Sequence, residues 1–231
     1  MKTAIFYHCL FALGEPPEIL DNAVAVVRSQ MELLQSCGLQ DHADEIHVGI
    51  NGGVESEYLA EAVLPERAVK TFHGLQCRNE CRTIALIEQW LPGHEGWNVL
   101  YFHAKGSTHP AADPFRTSWR NCMTRHVVAN WRTCVADLAA GYEAVGCHWM
   151  TPPATPPGQN IFAGTFFWAK SDFLLTLPSI YERDRIKVSG IDAFESRYEA
   201  EVWLGNGPRI PRVKDYHGPH WNPSKINTCD A

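Results

Sequence analysis

The chain has 231 residues, a formal net charge of −6 and a hydrophobic content of 45%, with 20% charged residues. These values are typical of a folded globular protein, which buries about 70% of its unfolded surface at this length, and they exclude a disordered chain. The negative charge argues against a nucleic acid as the main partner, because proteins that bind DNA or RNA usually carry a basic stripe.

The beginning of the chain predicts a β-strand. Ala4–Phe6 is apolar and runs into Tyr7 and His8. Met1–Leu13 has the length of a short signal peptide, but His8 interrupts its apolar stretch, so a first strand is favoured. The sequence also has no run of about 18 apolar residues, so we expect no transmembrane segment and a cytoplasmic location.

The eight cysteines are scattered, and no pair has the two-residue gap of a zinc knuckle. Cys77 and Cys81 are four residues apart, a spacing that suits one face of a helix. We therefore expect reduced thiols that pack as small hydrophobic side chains.

Strands and helices alternate over the first hundred residues. The predicted order is a strand at Ala4–Phe6, a helix from Leu20 to Leu34 closed by Gly38, strands at Glu45–Ile50 and Ala68–Phe72, a helix from Ile84 to Leu91 stopped by Pro92, and a strand at Asn98–Phe102. This alternation predicts an α/β fold with a mostly parallel central sheet and helices on both faces.

The second half of the chain predicts one long helix and several shorter elements. Apolar side chains recur every three or four residues, at Trp119, Met123, Val127, Trp131, Cys134 and Leu138. We then expect a strand at Ala144–Cys147, a proline-rich loop at Thr151–Gly158, an aromatic strand at Ile161–Ala169, a short helix before Pro178 and a last helix at Phe194–Leu204. The tail from Pro208 to Ala231 either folds over a site or is disordered.

Two basic side chains follow the strand at Asn98–Phe102. Residues two apart share one face of a strand, so His103 and Lys105 are expected to project together. Open α/β sheets bind ligands beyond the carboxyl ends of their strands. An imidazole and an ammonium at this edge suit phosphate oxygens, although a solvated loop is the alternative interpretation.

Three blocks in order resemble a known family. The strand at Asn98–Phe102 continues into His103-Ala104-Lys105-Gly106, with Trp119-Arg120 in the following helix. The second block is Phe162–Phe173 and the third is Arg197–Gly205. From about Asn79 to Gly205, the chain resembles bacterial and viral glycosyltransferases of the GT-A fold that build surface polysaccharides.

The resemblance implies one Rossmann-like domain over residues 1–231, with a nucleotide-binding half (1–110), an acceptor-side half (111–207) and a tail (208–231). It also implies a UDP-, GDP- or dTDP-linked sugar donor and a glycan acceptor. Most enzymes of this fold carry Asp-x-Asp where this chain has His103-Ala104-Lys105. Lysine can supply positive charge to the departing phosphate, so no cofactor is predicted, and Mn²⁺ or Mg²⁺ is not favoured. A second departure is Thr165, where the family pattern has Asn.

The resemblance assigns roles to particular side chains. The donor is assigned to His8, Glu80, His103, Lys105, Arg120, His217 and His220, with Glu80 near the nucleoside. For His217 and His220 the alternative is a metal site, which the absence of carboxylates at positions 103 and 105 disfavours. The sugar and acceptor are assigned to Gly164, Phe166, Trp168 and Arg197. Glu201 is the predicted base that takes the proton of the acceptor hydroxyl, and Glu199 is its rival. For Phe166 and Trp168 the alternative is a core position, and for Arg120 and both glutamates it is an exposed helix surface.

These assignments predict a glycosyltransferase that inverts the anomeric centre by direct displacement. The alternative is a non-catalytic carbohydrate-binding protein that uses the eight tryptophans. A metallohydrolase built on the eleven histidines is disfavoured, because the chain lacks His-Glu-x-x-His.

Overall fold

The fold is that of a computed structural model, which describes residues 1–11, 16–74, 80–111, 113–151, 160–181 and 198–217. Within these ranges, every helix is too short or too polar to cross a membrane. The predicted proline-rich loop at Thr151–Gly158 lies almost wholly outside the described residues, as does the first part of the predicted helix at Phe194–Leu204.

A seven-stranded sheet forms the centre of the fold. Its strands are β1 (Thr3–Phe11), β2 (Glu45–Gly52), β3 (Val69–Gly74), β4 (Asn98–His103), β5 (Ala144–Gly146), β8 (Phe167–Lys170) and β9 (Val213–Asp215), and a separate hairpin pairs β6 (Trp149–Met150) with β7 (Ile161–Phe162). The order across the sheet is β3-β2-β1-β4-β8-β5-β9, and only β8 runs antiparallel to its neighbours. The carboxyl ends of the parallel strands therefore meet at one edge, as the alternation in the sequence predicts.

Helices cover both faces of the sheet. They are α1 (Pro17–Ser36), α2 (Leu39–His42), α3 (Glu55–Val63), α4 (Cys81–Trp90), α5 (Pro114–Met123), α6 (Trp131–Ala139), α7 (Ser171–Leu174) and α8 (Tyr198–Trp203). One buried core joins Ile5 and Tyr7 of β1 to α1, α3 and α6. The other joins Ala4 and Phe6 to α4, α7 and α8. Alternate residues of β1 thus supply the two cores, as the two-residue period of a strand requires.

The prediction of one continuous helix between Trp119 and Leu138 is wrong in one respect. It is three segments, because a π-helix at Thr124–Ala129 separates α5 from α6. In an α-helix, each spacing of four residues places the next side chain about 40° further round the helix axis. Three such spacings follow one another here. The wider turn of the π-helix compensates for this rotation, so Met123, Val127 and Trp131 all stay buried.

The prediction of one continuous aromatic strand at Ile161–Ala169 is also wrong. The segment forms β7 and β8 in two different sheets, joined by a turn in which Gly164 has φ of 94° and Thr165 has φ of 60°. A Cβ on Gly164 would lie 2.6 Å from the sulfur of Met123. The chain reverses at this position because glycine allows both the backbone conformation and the close packing.

The tail and one cysteine depart from expectation as well. Residues Val213–Asp215 form β9, which pairs in parallel with β5, so this part of the tail belongs to the sheet. Cys122 is joined in a disulfide bond, so the expectation of reduced thiols does not hold for it. Five other cysteines are reduced thiols, namely Cys9, Cys37, Cys81, Cys134 and Cys147.

Candidate functional site

Three neighbouring strands carry histidines toward the carboxyl edge of the sheet. His8 of β1 pairs in register with Gly49 of β2 on one side and His103 of β4 on the other, and His73 lies in β3. Gly49 makes room for this grouping, because a Cβ there would lie 1.9 Å from Oγ1 of Thr83 and 2.8 Å from Nε2 of His73. The topology therefore gathers imidazoles at the edge where α/β sheets bind ligands.

His103 is held by acceptors on both sides of its ring. Its Nδ1 donates to Oε1 of Glu80 at 2.9 Å, and its Nε2 donates to the carbonyl of Gly164 at 2.9 Å. A carboxylate and a carbonyl can only accept, so both ring nitrogens carry hydrogen and His103 is an imidazolium. The ring is thus a fixed positive charge in the chain's own hydrogen-bond network.

Glu80 is the matching negative charge. Burial raises the pKa of its carboxyl, but the charge and hydrogen bond of His103 and the charges of His8 and Lys105 outweigh burial and lower the pKa to about 2. The hydroxyl of Tyr101 donates to the second carboxylate oxygen at 3.0 Å. Glu80 is therefore ionised at neutral pH, and both its oxygens are bound.

His8 and His73 are neutral neighbours of this pair. His8 Nδ1 lies 2.8 Å from Oγ1 of Thr83, and burial is the main cause that lowers the pKa of His8 to about 3. Burial, with the nearby charge of Arg82, lowers the pKa of His73 to about 4. The pair of Glu80 and His103 is therefore flanked by two imidazoles that are uncharged at pH 7.

The turn after β4 is fixed by side chains that bind its carbonyls. Gln30 donates to the carbonyl of His103 at 3.2 Å, and Arg120 Nη1 donates to that of Lys105 at 2.9 Å. Asn22 Nδ2 donates to the carbonyls of Gly106 and His109 at 3.2 and 2.7 Å. These bonds hold the turn in a single shape before any ligand arrives.

Asn22 and Gln30 were missed by the sequence analysis. Both are buried, at 8% and 2% exposure, on the apolar face of α1. Buried polar side chains normally have hydrogen-bond partners, so a polar residue within an apolar helical stripe is the signal that points to them. His73 was also missed, and its signal in the sequence is that it directly follows a predicted strand.

Lys105 lies on the face of an aromatic ring. Its Nζ is 3.8 Å from the centroid of the Trp119 ring, and its charge helps to lower the pKa of Glu80. Positions 103 and 105, where the family pattern has metal-binding aspartates, therefore carry an imidazolium and an ammonium. Such a pair repels a divalent cation and suits an anion, so the residues of this turn do not fit Mn²⁺ or Mg²⁺.

Three residues predicted to contact sugar are core residues in the structure. Trp168 is fully buried, at 0% exposure, and its Nε1 donates to the carbonyl of Val127 at 2.7 Å. Phe166 is buried between the rings of Phe102 and His103. Neither ring has a face open to a sugar, so the stacking prediction is corrected to a core role. Gly164 is likewise buried, and its contribution is the carbonyl that accepts from His103.

Other predicted residues lie on separate elements or outside the described residues. Glu201 is a partly buried residue of α8, which packs on α4 and β7. Arg197 and His220 lie outside the described residues, and the side chain of Glu199 is not among those described.

His217 belongs to a second group of histidines. Its ring centroid is 5.3 Å from that of His126 in the π-helix and 5.1 Å from that of His148, which follows β5. Burial, followed by the neighbouring charge of His217, lowers the pKa of His126, and the same causes lower the pKa of His148 to about 4. Two consecutive residues link the two groups of histidines. The N–H of Ala163 donates to the carbonyl of His148, and the carbonyl of Gly164 accepts from the ring of His103.

Comparison with known proteins gives likeness of structure alone. No model of a known protein family matches the chain, and no curated protein sequence matches it. A nucleotide-diphospho-sugar transferase from Desulfovibrio desulfuricans has 13% identity and a TM-score of 0.48, over 94% of this chain and 80% of that one.

Two further solved structures are similar at the same level. 4-Diphosphocytidyl-2C-methyl-D-erythritol synthase from Anaerococcus prevotii has 12% identity and a TM-score of 0.47, over 99% of this chain and 97% of that one. CMP:2-keto-3-deoxy-manno-octonic acid synthetase, complexed with CTP, has 10% identity and a TM-score of 0.39, over 74% of this chain and 75% of that one. At these values the function of this chain is to be argued from its own residues.

Proposed function

We propose that this chain is a glycosyltransferase that moves a sugar from a nucleotide-diphosphate donor to a carbohydrate acceptor. The observation that carries the proposal is the fixed turn after β4, where the Lys105 ammonium lies at the carboxyl edge of the sheet beside the ion pair of His103 and Glu80. A diphosphate needs positive charge of this kind, because negative charge grows on its leaving oxygen as the glycosidic bond breaks.

Lys105 is the proposed contact to the diphosphate, with Arg120 behind it. The Trp119 ring beneath the ammonium and the Arg120 bond to the Lys105 carbonyl orient the side chain before the donor binds. Preorganised charge of this kind costs no rearrangement during the reaction. The donor is therefore proposed to bind this turn without Mn²⁺ or Mg²⁺, and His103 to hold the turn in place through its bonds to Glu80 and to the Gly164 carbonyl.

Glu201 is the proposed base on the acceptor side, with Glu199 as its rival two residues earlier in the same segment. A single displacement with a carboxylate base inverts the anomeric centre. Glu201→Gln is expected to slow transfer by about 10²- to 10⁴-fold and to leave donor affinity unchanged. If Glu199→Gln is inactive and Glu201→Gln is active, the base is Glu199.

The alternative, a carbohydrate-binding protein that uses exposed tryptophans, has less support. Among the described residues, five tryptophans are buried, namely Trp97, Trp119, Trp131, Trp168 and Trp203. Release of a nucleoside diphosphate from a nucleotide-sugar separates an enzyme from a binding protein, because only the enzyme breaks the donor.

The test measures binding of UDP, GDP and dTDP by calorimetry in EDTA, followed by release of the diphosphate from the matching sugar donor. Lys105→Ala is expected to weaken binding about 10- to 100-fold, because a charge-assisted phosphate contact contributes about 1.5–3 kcal/mol. Lys2→Ala is the matched control, since Lys2 also lies over a tryptophan, with Nζ 4.9 Å from the Trp97 ring centroid, but at the start of β1. Equal affinity in the two variants would remove Lys105 from the donor site.

A further inference from the structure

Three histidines from three separate elements converge beyond β5 and β9. His126 belongs to the π-helix, His148 follows β5 and His217 follows β9. The His217 ring neighbours both others, with its centroid 5.3 Å from that of His126 and 5.1 Å from that of His148. Residues so distant in sequence meet here because β5 and β9 are parallel neighbours that end at the same edge.

Nitrogens of two of these histidines are close enough for a common metal ion, and the third ring is a neighbour of His217. His126 and His217 each offer a nitrogen within 4.8 Å of the other. Two imidazoles bound to one tetrahedral zinc ion, each at about 2.0–2.1 Å, have nitrogens separated by roughly 3.4 Å, so a small side-chain rotation closes the gap. The sulfur of Cys122 lies in the same group, but it is joined in a disulfide and is not counted as a ligand.

His148 carries two costs that a bound metal would offset. It is only 4% exposed, and within the described part of the chain its Nε2 has no hydrogen-bond partner. An unpaired buried polar group costs about 1–3 kcal/mol. Its backbone also has φ of 63°, a region that residues other than glycine rarely occupy. Residues keep such conformations mainly at functional sites.

Asp215 holds two of these histidines in place. Its carboxylate accepts backbone N–H bonds from His148 at 2.9 Å, from Trp149 at 3.0 Å and from His217 at 3.0 Å. One side chain thus fixes the loop after β5 against the loop after β9. The ring of Tyr216 stacks on His126 with centroids 6.0 Å apart, and its hydroxyl donates to Asp137. These contacts fix the backbone that carries His148 and His217 and one face of the His126 ring.

We propose that His126, His148 and His217 bind one divalent transition-metal ion of the zinc type. Imidazole nitrogens favour zinc, cobalt, nickel and copper, whereas Mg²⁺ and Ca²⁺ prefer oxygen. Three protein ligands leave a fourth position for water or a substrate oxygen. This assigns His217 to a metal rather than directly to phosphate, and it does not depend on the proposed glycosyl transfer.

The experiment titrates Zn²⁺ into chelator-treated full-length protein by calorimetry and follows Co²⁺ binding by visible absorption. The expected result is one equivalent of Zn²⁺, a tetrahedral Co²⁺ spectrum that Zn²⁺ abolishes, and no competition by Mg²⁺. His126→Gln, His148→Gln and His217→Gln are each expected to weaken binding about tenfold or more. His94→Gln is the matched control and is expected to bind normally, because His94 stacks on Trp90 away from the three histidines.

Two results would overturn the proposal. One is the absence of Zn²⁺ binding by the unmodified protein, and the other is unchanged affinity in His126→Gln and His217→Gln. Because His148 is buried, its variant is first checked for folding by circular dichroism, and the two less buried histidines decide the question if it fails to fold. Donor binding is measured separately in EDTA, so failure of the metal site and failure of the proposed function give different results.

Discussion

Replacement of Glu80 by Gln tests the ion pair at the centre of the candidate site. Gln keeps the shape of the side chain, and its amide oxygen still accepts from His103, while its NH₂ group donates to the Tyr101 hydroxyl after that hydroxyl rotates. The substitution therefore removes the negative charge and little else. What remains is an imidazolium that has lost its counter-charge in a largely buried position.

The size of the effect follows from the burial of the pair. The side chains of His103 and Glu80 are 12% and 15% exposed, and breaking a buried pair from one side costs about 3–5 kcal/mol. The retained hydrogen bonds reduce this cost. We expect Glu80→Gln to lower the free energy of unfolding by about 2–3 kcal/mol at pH 7.

Urea unfolding, followed by tryptophan fluorescence, measures the change. Glu61→Gln is the matched control, because Glu61 pairs with Lys70 at 2.9 Å but is 66% exposed, and surface pairs contribute at most about 1 kcal/mol. A Glu80→Gln variant as stable as Glu61→Gln would falsify the view that a charged pair holds β4 to the start of α4.

Three further predictions concern the buried histidines and the core. In metal-free buffer, the free energy of unfolding is expected to fall by about 4 kcal/mol from pH 7 to pH 5. Unfolding lets His8 and His148 take up protons below about pH 6.5, and each pKa unit corresponds to about 1.4 kcal/mol per histidine. Urea midpoints that do not change with pH would contradict this. Gly49→Ala is expected to cost about 1–3 kcal/mol in urea unfolding, since its Cβ would lie 1.9 Å from the hydroxyl that bonds His8. Trp168→Phe is expected to cost about 2–3 kcal/mol through the lost bond to Val127. It is expected to leave the affinity for the nucleotide-sugar within about twofold, and a large loss of that affinity in folded protein would restore Trp168 to the sugar site.

The first half of the fold follows from local patterns in the sequence. Each strand predicted from Ala4 to Phe102 and both predicted helices are present, with ends that differ by a few residues, whereas the shorter helices α2 and α3 were not predicted. Apolar periodicity and terminating Gly or Pro residues are local signals, and they operate here without conflict. The alternation of elements was then enough to predict a mostly parallel sheet.

The second half depends on contacts that local patterns do not encode. Gly164 and Thr165 turn the chain because Met123 packs against that glycine, and a run of apolar residues alone gives no sign of the reversal. β9 has only three residues, and it exists because β5 offers an unpaired edge. The π-helix did leave a trace in the repeated spacing of four residues, which a strict α-helical period does not sustain.

The candidate site was predicted in composition better than in arrangement. His8, Glu80, His103 and Lys105 do meet at one edge of the sheet. The pairing of His103 with the Gly164 carbonyl could not be predicted, because it depends on a turn that comes 61 residues later in the chain. The group around His217 was missed for the same reason, since its members come from three distant elements.

The pairing of β5 with β9 has a consequence for synthesis of the chain. Val213 follows Ala144, its partner in the register, by 69 residues (213 − 144). At about 5–20 residues per second, the ribosome leaves the outer edge of β5 uncovered for several seconds after β5 itself has emerged. An uncovered strand edge is a template for pairing with other chains. The nascent protein is therefore most vulnerable to aggregation in this interval, and slower translation across residues 147–212 would lengthen it.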